Sequence, residues 1–189
     1  MKERQDYESL QNPDLVFVAF DLETTGLSPQ LDRIVEIGAV RFVDGRETGR
    51  YGTLVNPEMP MPPGAAAVNG ITDAMLAGQR SIREVLPEFL AFIEGAVLVA
   101  HNATFDLGFV NSAMGRLGKG RLANEFVDTR GMAQKAFPGR SNYKLQSLAL
   151  DLGVKAVEAH RAVDDARVCL EVFQAALKQL NPGGQASFF

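Results

Sequence analysis

The chain has 189 residues, 46% hydrophobic and 22% charged, with a net charge of −4. That length suits one domain with a proper core, and the composition excludes a disordered or collagen-like chain. The acidic balance argues against coating long duplex nucleic acid, which calls for a basic face; a nucleic-acid partner would be gripped by a short end.

No apolar run is long enough to cross a bilayer, so no membrane partner is expected. The first six residues, Met1 to Asp6, are polar and charged, unlike a secretory signal. The single cysteine, Cys169, can form neither an internal disulfide nor a zinc site, and is expected to be packed in the core of a cytoplasmic protein.

Residues 1–13 are polar and end at the break Asn12-Pro13; they are expected as a loosely held lead-in to a domain over 14–181. A flexible tail is expected over 182–189. The first strand is predicted over Leu15 to Leu22, ending in the Thr24-Thr25-Gly26 turn. Arg33 to Val43, rich in β-branched residues, predicts a second strand. The Asp44-Gly45 turn signal leads to a third at Arg50 to Val55. Short turns between these three imply an antiparallel meander.

The proline-rich run Pro57 to Gly64 reads as loop. Thr72 and Asp73 can cap a short helix. Ser81 and Glu84 form a capping box for a longer one with Ile82, Val85, Leu86, Phe89 and Ile93 on one face. Ala96 to Ala100 predicts a strand buried on both faces, and Phe105 to Leu117 a helix. A brief strand at Phe126-Val127 precedes a helix over Arg130 to Phe137 capped by Asp128 and Thr129. Helices are predicted over Lys144 to Leu152 and Val163 to Leu180. A meander followed by alternating strands and helices defines an α/β fold: a five-stranded mixed sheet, antiparallel and then parallel, flanked by helices.

Alternate residues of a strand share a face, so Asp21 and Glu23 project together at the end of an apolar strand. Two adjacent carboxylates need shifted pKa values or a cation between them, and hard cations such as Mg²⁺ prefer oxygen ligands. Asp106 lies one turn into the helix after the Ala96 to Ala100 strand, at the strand end where open sheets place ligands. His160 stands in a loop and Asp165 in the first turn of the last helix. Four carboxylates suffice to hold two divalent cations about 3.5–4 Å apart, as in two-metal phosphodiester hydrolysis. A histidine titrating near neutrality can take the proton from the attacking water. His101, the other histidine, is expected in a structural hydrogen-bonding role, with substrate contact as the alternative.

Three segments carry a resemblance. Phe20-Asp21-Leu22-Glu23-Thr24-Thr25-Gly26-Leu27 is similar to the first exonuclease motif of the DEDD family of 3′→5′ exonucleases. The run from Ala100 to Phe109 looks like the second, and His160-Arg161-Ala162-Val163-Asp164-Asp165 matches the third in its histidine form. Within the family the likeness is to bacterial proofreading exonucleases. It implies a ribonuclease H-like fold, with two Mg²⁺ or Mn²⁺ ions held by Asp21, Glu23, Asp106 and Asp165 and with His160 as general base. It also implies stepwise release of nucleoside 5′-monophosphates from a single-stranded or frayed DNA 3′ end.

By the same resemblance Leu27 wedges against terminal bases, Phe105 stacks on one, and Thr24 and Thr25 offer backbone amides to the terminal nucleotide. Many relatives have histidine where this chain has Asn69, which changes the grip on that nucleotide. Arg140 and Lys144 are candidate phosphate contacts, with a solvated surface as the alternative for each. The tail residues Gln185, Ser187, Phe188 and Phe189 resemble a sliding-clamp-binding motif, making a clamp and a DNA polymerase expected partners. The alternatives are an RNA 3′-end trimming enzyme of the same family and a noncatalytic adaptor.

Overall fold

Five strands, β1 (Val16–Thr24), β2 (Ile34–Val43), β3 (Arg46–Leu54), β4 (Val97–Ala100) and β5 (Phe126–Asp128), form one sheet in the order β3-β2-β1-β4-β5. The computed structural model describes residues 1–156 and 161–183. β1 pairs antiparallel with β2, and β2 with β3; β4 lies parallel to β1 and to β5. This is the mixed sheet that the element pattern predicts. The helices are α1 (Pro63–Asn69), α2 (Asp73–Leu76), α3 (Ile82–Phe92), α4 (Thr104–Arg116), α5 (Thr129–Ala136), α6 (Leu145–Leu152) and α7 (Ala162–Leu180).

Residue alternation on β1 sorts the core into two layers. Phe17 and Ala19 pack with residues of α5, α6 and α7, while Val18, Phe20 and Leu22 pack with those of α3 and α4. The first layer centres on Phe17, whose ring stacks on Phe42 at 5.0 Å and lies 5.3 Å from Phe173. In the second, the Phe20 ring lies 5.8 Å from Phe89. Cys169 is buried in the first layer, where loss of water pushes its thiol pKa far up and leaves it inert.

Three local expectations change. β3 begins at Arg46, immediately after the turn in which Asp44 and Gly45 take positive φ of 48° and 69°. Its first half is exposed and polar because β3 is a sheet edge, so it lacks the apolar pattern that marks a strand. Helix α1 lies where the prolines point to loop: Pro63 starts it, with its missing N–H harmless at a first position, and Ala65 to Ala67 extend it. The lead-in is docked rather than loose. Glu3 bridges to Phe126, the Arg4 N–H donates to the Phe126 carbonyl at 2.7 Å, and Leu10 is fully buried.

The capping box holds: the Glu84 carboxylate accepts from the Ser81 N–H and hydroxyl, both at 2.8 Å. Thr72 makes no side-chain cap; beside it, the Asp73 carboxylate accepts from the Met61 N–H at 2.8 Å.

Candidate active site

Asp21 and Glu23 lie at the carboxyl end of β1, on the face that α7 covers. They get there because the residues two and four before Asp21 are buried against that helix. Asp165 comes from the first turn of α7. Carboxylate oxygens of Asp21, Glu23 and Asp165 all lie within 4.8 Å of one another. Asp106, buried in the first turn of α4, completes the group: its charge is the largest Coulombic load on Asp21.

The bend between β4 and α4 that brings Asp106 in is held by Asp128. Its carboxylate accepts from the Asn102 N–H at 2.9 Å and caps α5 through the Arg130 N–H at 3.0 Å. Asn102 itself adopts a left-handed φ of 64°.

α7 reaches the sheet through glycine. A Cβ on Gly38 would fall within 3.0 Å of the backbone of Ala162 and Val163, and one on Gly52 would strike the Val163 side chain. Gly38 pairs with Asp21 on one side and Gly52 on the other, so a side-chain-free row crosses the sheet beneath the start of α7. Only there can the helix backbone sit close enough to hold Asp165 among the other carboxylates.

Glu36, the cross-strand partner of Glu23, fixes the same helix end. Its carboxylate is buried, pairs with the Arg161 guanidinium at 2.9 Å and accepts from the Ala162 N–H at 3.2 Å, an anion at a helix N-terminus. The Gln146 amide donates to Asp165 at 3.2 Å.

Burial and mutual repulsion mark these carboxylates. Asp21 is raised well above its ordinary pKa by loss of water first, then by Asp106, Asp165, Glu23 and Glu36. Burial also raises Asp106, although the N–H groups of Leu22 and of Asp106 itself offset part of the rise. Glu23 is pushed up to about 7 by burial and by Asp165, against the opposing hydrogen bond from Asn69 and the charge of Arg161. An all-oxygen donor set held together at this cost in repulsion fits hard divalent cations, whose charge would remove it.

The carboxylates open into a cleft of about 660 Å³ lined also by His101, Asn102, Arg130, Arg140, Tyr143, Lys144 and Gln146. His101 is held at both nitrogens, Nδ1 to the Thr129 hydroxyl at 2.9 Å and Nε2 to the Tyr143 carbonyl at 2.8 Å. A carbonyl only accepts, so Nε2 carries the proton. Burial lowers the His101 pKa, which keeps the ring neutral. Arg140 and Lys144 both face this cleft, and Arg140 is ion-paired with Asp151.

Asn69 is buried, with its side chain hydrogen-bonded inside the protein. Its amide donates to the Thr24 carbonyl at 3.4 Å, its carbonyl accepts from the Ile71 N–H at 3.1 Å, and it bonds the Glu23 carboxylate. It therefore holds the strand end that carries Glu23. The Thr25 N–H donates to the Arg33 carbonyl at 2.9 Å. The Thr24 hydroxyl donates to the Gly26 carbonyl at 2.6 Å. Leu27 is 84% exposed, and Phe105 is half-buried with its ring 5.0 Å from Phe109. His160 and the tail residues Gln185, Ser187, Phe188 and Phe189 lie outside the described residues.

Glu36, Gly38, Gly52 and Gln146 escaped the sequence reading. A lone acid in the apolar run of β2 and a glycine inside a strand were signals for the first two; nothing local marks Gln146.

A ribonuclease H-like sheet with clustered carboxylates at its strand ends defines a class of acidic-site nucleases. The family model for exonucleases of the RNase T type matches residues 18–173, and the chain belongs to that family. The epsilon subunit of DNA polymerase III from Treponema pallidum (strain Nichols) is 48% identical over 161 residues, 84% of this chain and 75% of that protein. Exonuclease X, solved with 5′ overhanging duplex DNA, is 29% identical with a TM-score of 0.67, covering 92% of this chain and 95% of its own. Exonuclease I shares the fold at 19% identity and a TM-score of 0.78; the match covers 87% of this chain and 41% of that one. The chain is an exonuclease, of the DNA polymerase III epsilon-like kind.

Proposed function

We propose that this exonuclease removes nucleoside 5′-monophosphates one at a time from single-stranded or frayed DNA 3′ ends, in proofreading or repair. The observation that carries the reading is the meeting of Asp21, Glu23 and Asp165 within 4.8 Å, with Asp106 alongside. These four carboxylates would hold two Mg²⁺ or Mn²⁺ ions. When bound, such ions acidify the attacking water and stabilise the charge on the phosphate and leaving oxygen.

The chain's own residues do the rest. His160 takes the proton of the attacking water. Asn69 and Gln146 hold the Glu23 and Asp165 carboxylates in place. Arg130, Lys144 and Arg140 supply positive charge along the cleft for the phosphates of the strand. Leu27 and Phe105 meet the terminal bases, where stacking on an aromatic is worth about 1–3 kcal/mol and accepts any sequence.

The test is release of mononucleotides from a 5′-labelled single-stranded DNA, from the same strand blocked at its 3′ end, and from the matched RNA. Metal-dependent shortening of the open DNA by wild type, absent with Asp21→Asn and with the 3′ block, is the expected result. Shortening of the blocked strand overturns the polarity, and faster hydrolysis of RNA overturns the substrate. The tail, by its sequence, would tether the enzyme to a sliding clamp and raise its concentration at primer ends; clamp binding unchanged on deletion of 185–189 removes that part.

A further inference from the structure

A basic cavity lies on the other face of the sheet. Arg33, Arg83 and Arg116 line a cavity of about 220 Å³ together with Ile34, Asn56 and Ile82. Ile34 and Ile82 belong to the layer of α3 and α4, opposite the face that carries Asp21 and Glu23. Among the described residues none of the three guanidiniums has an ion-pair partner within bridging distance; the one acid on the wall is Glu58. In a chain with 23 acidic and 19 basic residues, this cavity gathers three arginines against one acid, a local excess of positive charge. Burial and the nearby charge of Arg33 both lower the Arg116 pKa, a strain that a phosphate between them would relieve.

The cavity is tied to the loop between β1 and β2. Arg33 donates through Nη1 to the Leu31 and Asp32 carbonyls at 2.9 and 3.0 Å. Arg116 donates through Nη1 to the Pro29 carbonyl and the Ser112 hydroxyl, both at 3.1 Å. The loop they hold carries Leu27 and Leu31, 84% and 75% exposed, large apolar side chains left in water beyond the ends of β1 and β2. Exposed apolar side chains on a loop held by cavity arginines suit the separation of paired strands, which needs a wedge for the bases and a phosphate track for the strand that is turned away.

We infer that the arginine cavity is a second track, which binds the phosphate backbone of the complementary strand while the scissile strand enters the carboxylate cleft. The inference rests on the reading of the cleft as a DNA 3′-end site. It makes the frayed end of a duplex, rather than a free single strand, the substrate this chain grips best. Arg83 is the cleanest probe, because it is exposed and has no side-chain hydrogen bond among the described residues.

The test is binding, read by fluorescence anisotropy in EDTA so that hydrolysis plays no part. The probes are a labelled single strand and the same strand annealed to a longer complement with its last 3′ bases mismatched. Wild type should hold the annealed probe about tenfold more tightly, because it neutralises additional phosphates. Arg83→Glu, and separately the pair Arg83→Gln and Arg116→Gln, should erase that margin and leave single-strand affinity unchanged. On the annealed probe the paired substitution should lower the slope of log affinity against log salt by about 1 per arginine. Equal wild-type affinity for both probes, or parallel losses on both, overturns the second track. Hydrolysis of the single strand with Mn²⁺ is followed in parallel: if wild type keeps the binding margin yet cuts neither probe, the cleft reading fails and the track stands.

Discussion

Alternate residues of β1 lead to two different surroundings. On one face Phe17 and Ala19 sink into the layer under α7, and the next two positions are Asp21 and Glu23. On the other face Val18, Phe20 and Leu22 stay apolar and buried throughout. The same strand therefore carries two of the four mutually repelling carboxylates on one side and a continuous apolar seam on the other. Repulsion at the site is sustained only because the seam, together with the glycine row under α7, keeps the backbone from relaxing; site and scaffold have opposite stability signatures one residue apart.

Exchanging neighbouring residues breaks that contrast most directly. Asp21→Asn should lower metal-dependent nuclease turnover by on the order of 10³-fold or more, as removal of a key electrostatic group does. It should also raise the unfolding temperature in EDTA, because it removes a carboxylate that burial and Asp106 destabilise. Phe20→Ala, one position away and fully buried against Phe89, should do the reverse. Its expected cost is about 3–5 kcal/mol of stability, measured by urea denaturation, with activity per folded molecule retained. If both variants lose stability alike, the two faces do not divide labour.

Much of this was legible beforehand. The apolar run ending in Asp21 and Glu23 identified both the strand and its acidic end, because strand periodicity is local. Asp106 and Asp165 were legible as motif positions. That they meet Asp21 depends on strand order and on how close α7 sits, neither of which is encoded locally. Asn69 was legible as a departure from a pattern, but its role in holding Glu23 depends on where the end of α1 packs. β3 was shortened in the reading because edge strands need no apolar alternation.

The glycine row sharpens the comparison from the scaffold side. Gly38→Ala inserts a methyl where Ala162 and Val163 backbone already lies within 3.0 Å. Backbone cannot give way as a flexible side chain can, so α7 must lift. Overpacking of this kind costs about 1–3 kcal/mol, and Asp165 moves with the helix. A fall in both thermal stability and activity is expected. Gly52→Ala meets only the Val163 side chain and should be milder. An active, stable Gly38→Ala protein would show that the close approach of α7 is not what assembles the site.

The last effect follows from proton linkage and is a slope of stability against pH rather than a loss of function. Glu23 titrates near 7 in the metal-free fold against an ordinary 4.5. Its raised pKa means the folded state holds the proton more tightly than the unfolded chain does. That advantage is complete below about pH 4.5 and is lost as pH rises to about 7, at up to about 1.4 kcal/mol per pH unit. In EDTA, stability should therefore decline across this window. A divalent ion needs the deprotonated carboxylates, so its stabilising effect should run the other way, small near pH 5 and full above about pH 8. Unfolding temperatures with Mn²⁺ and with EDTA, taken from pH 5 to 9, should diverge as pH rises. Parallel curves would mean that the ion binds elsewhere than among these carboxylates. Gln substituted for Glu23 should make the EDTA curve shallower between pH 5 and 7 by the share of that group, while Asp21 and Asp106, also raised, keep the rest of the slope.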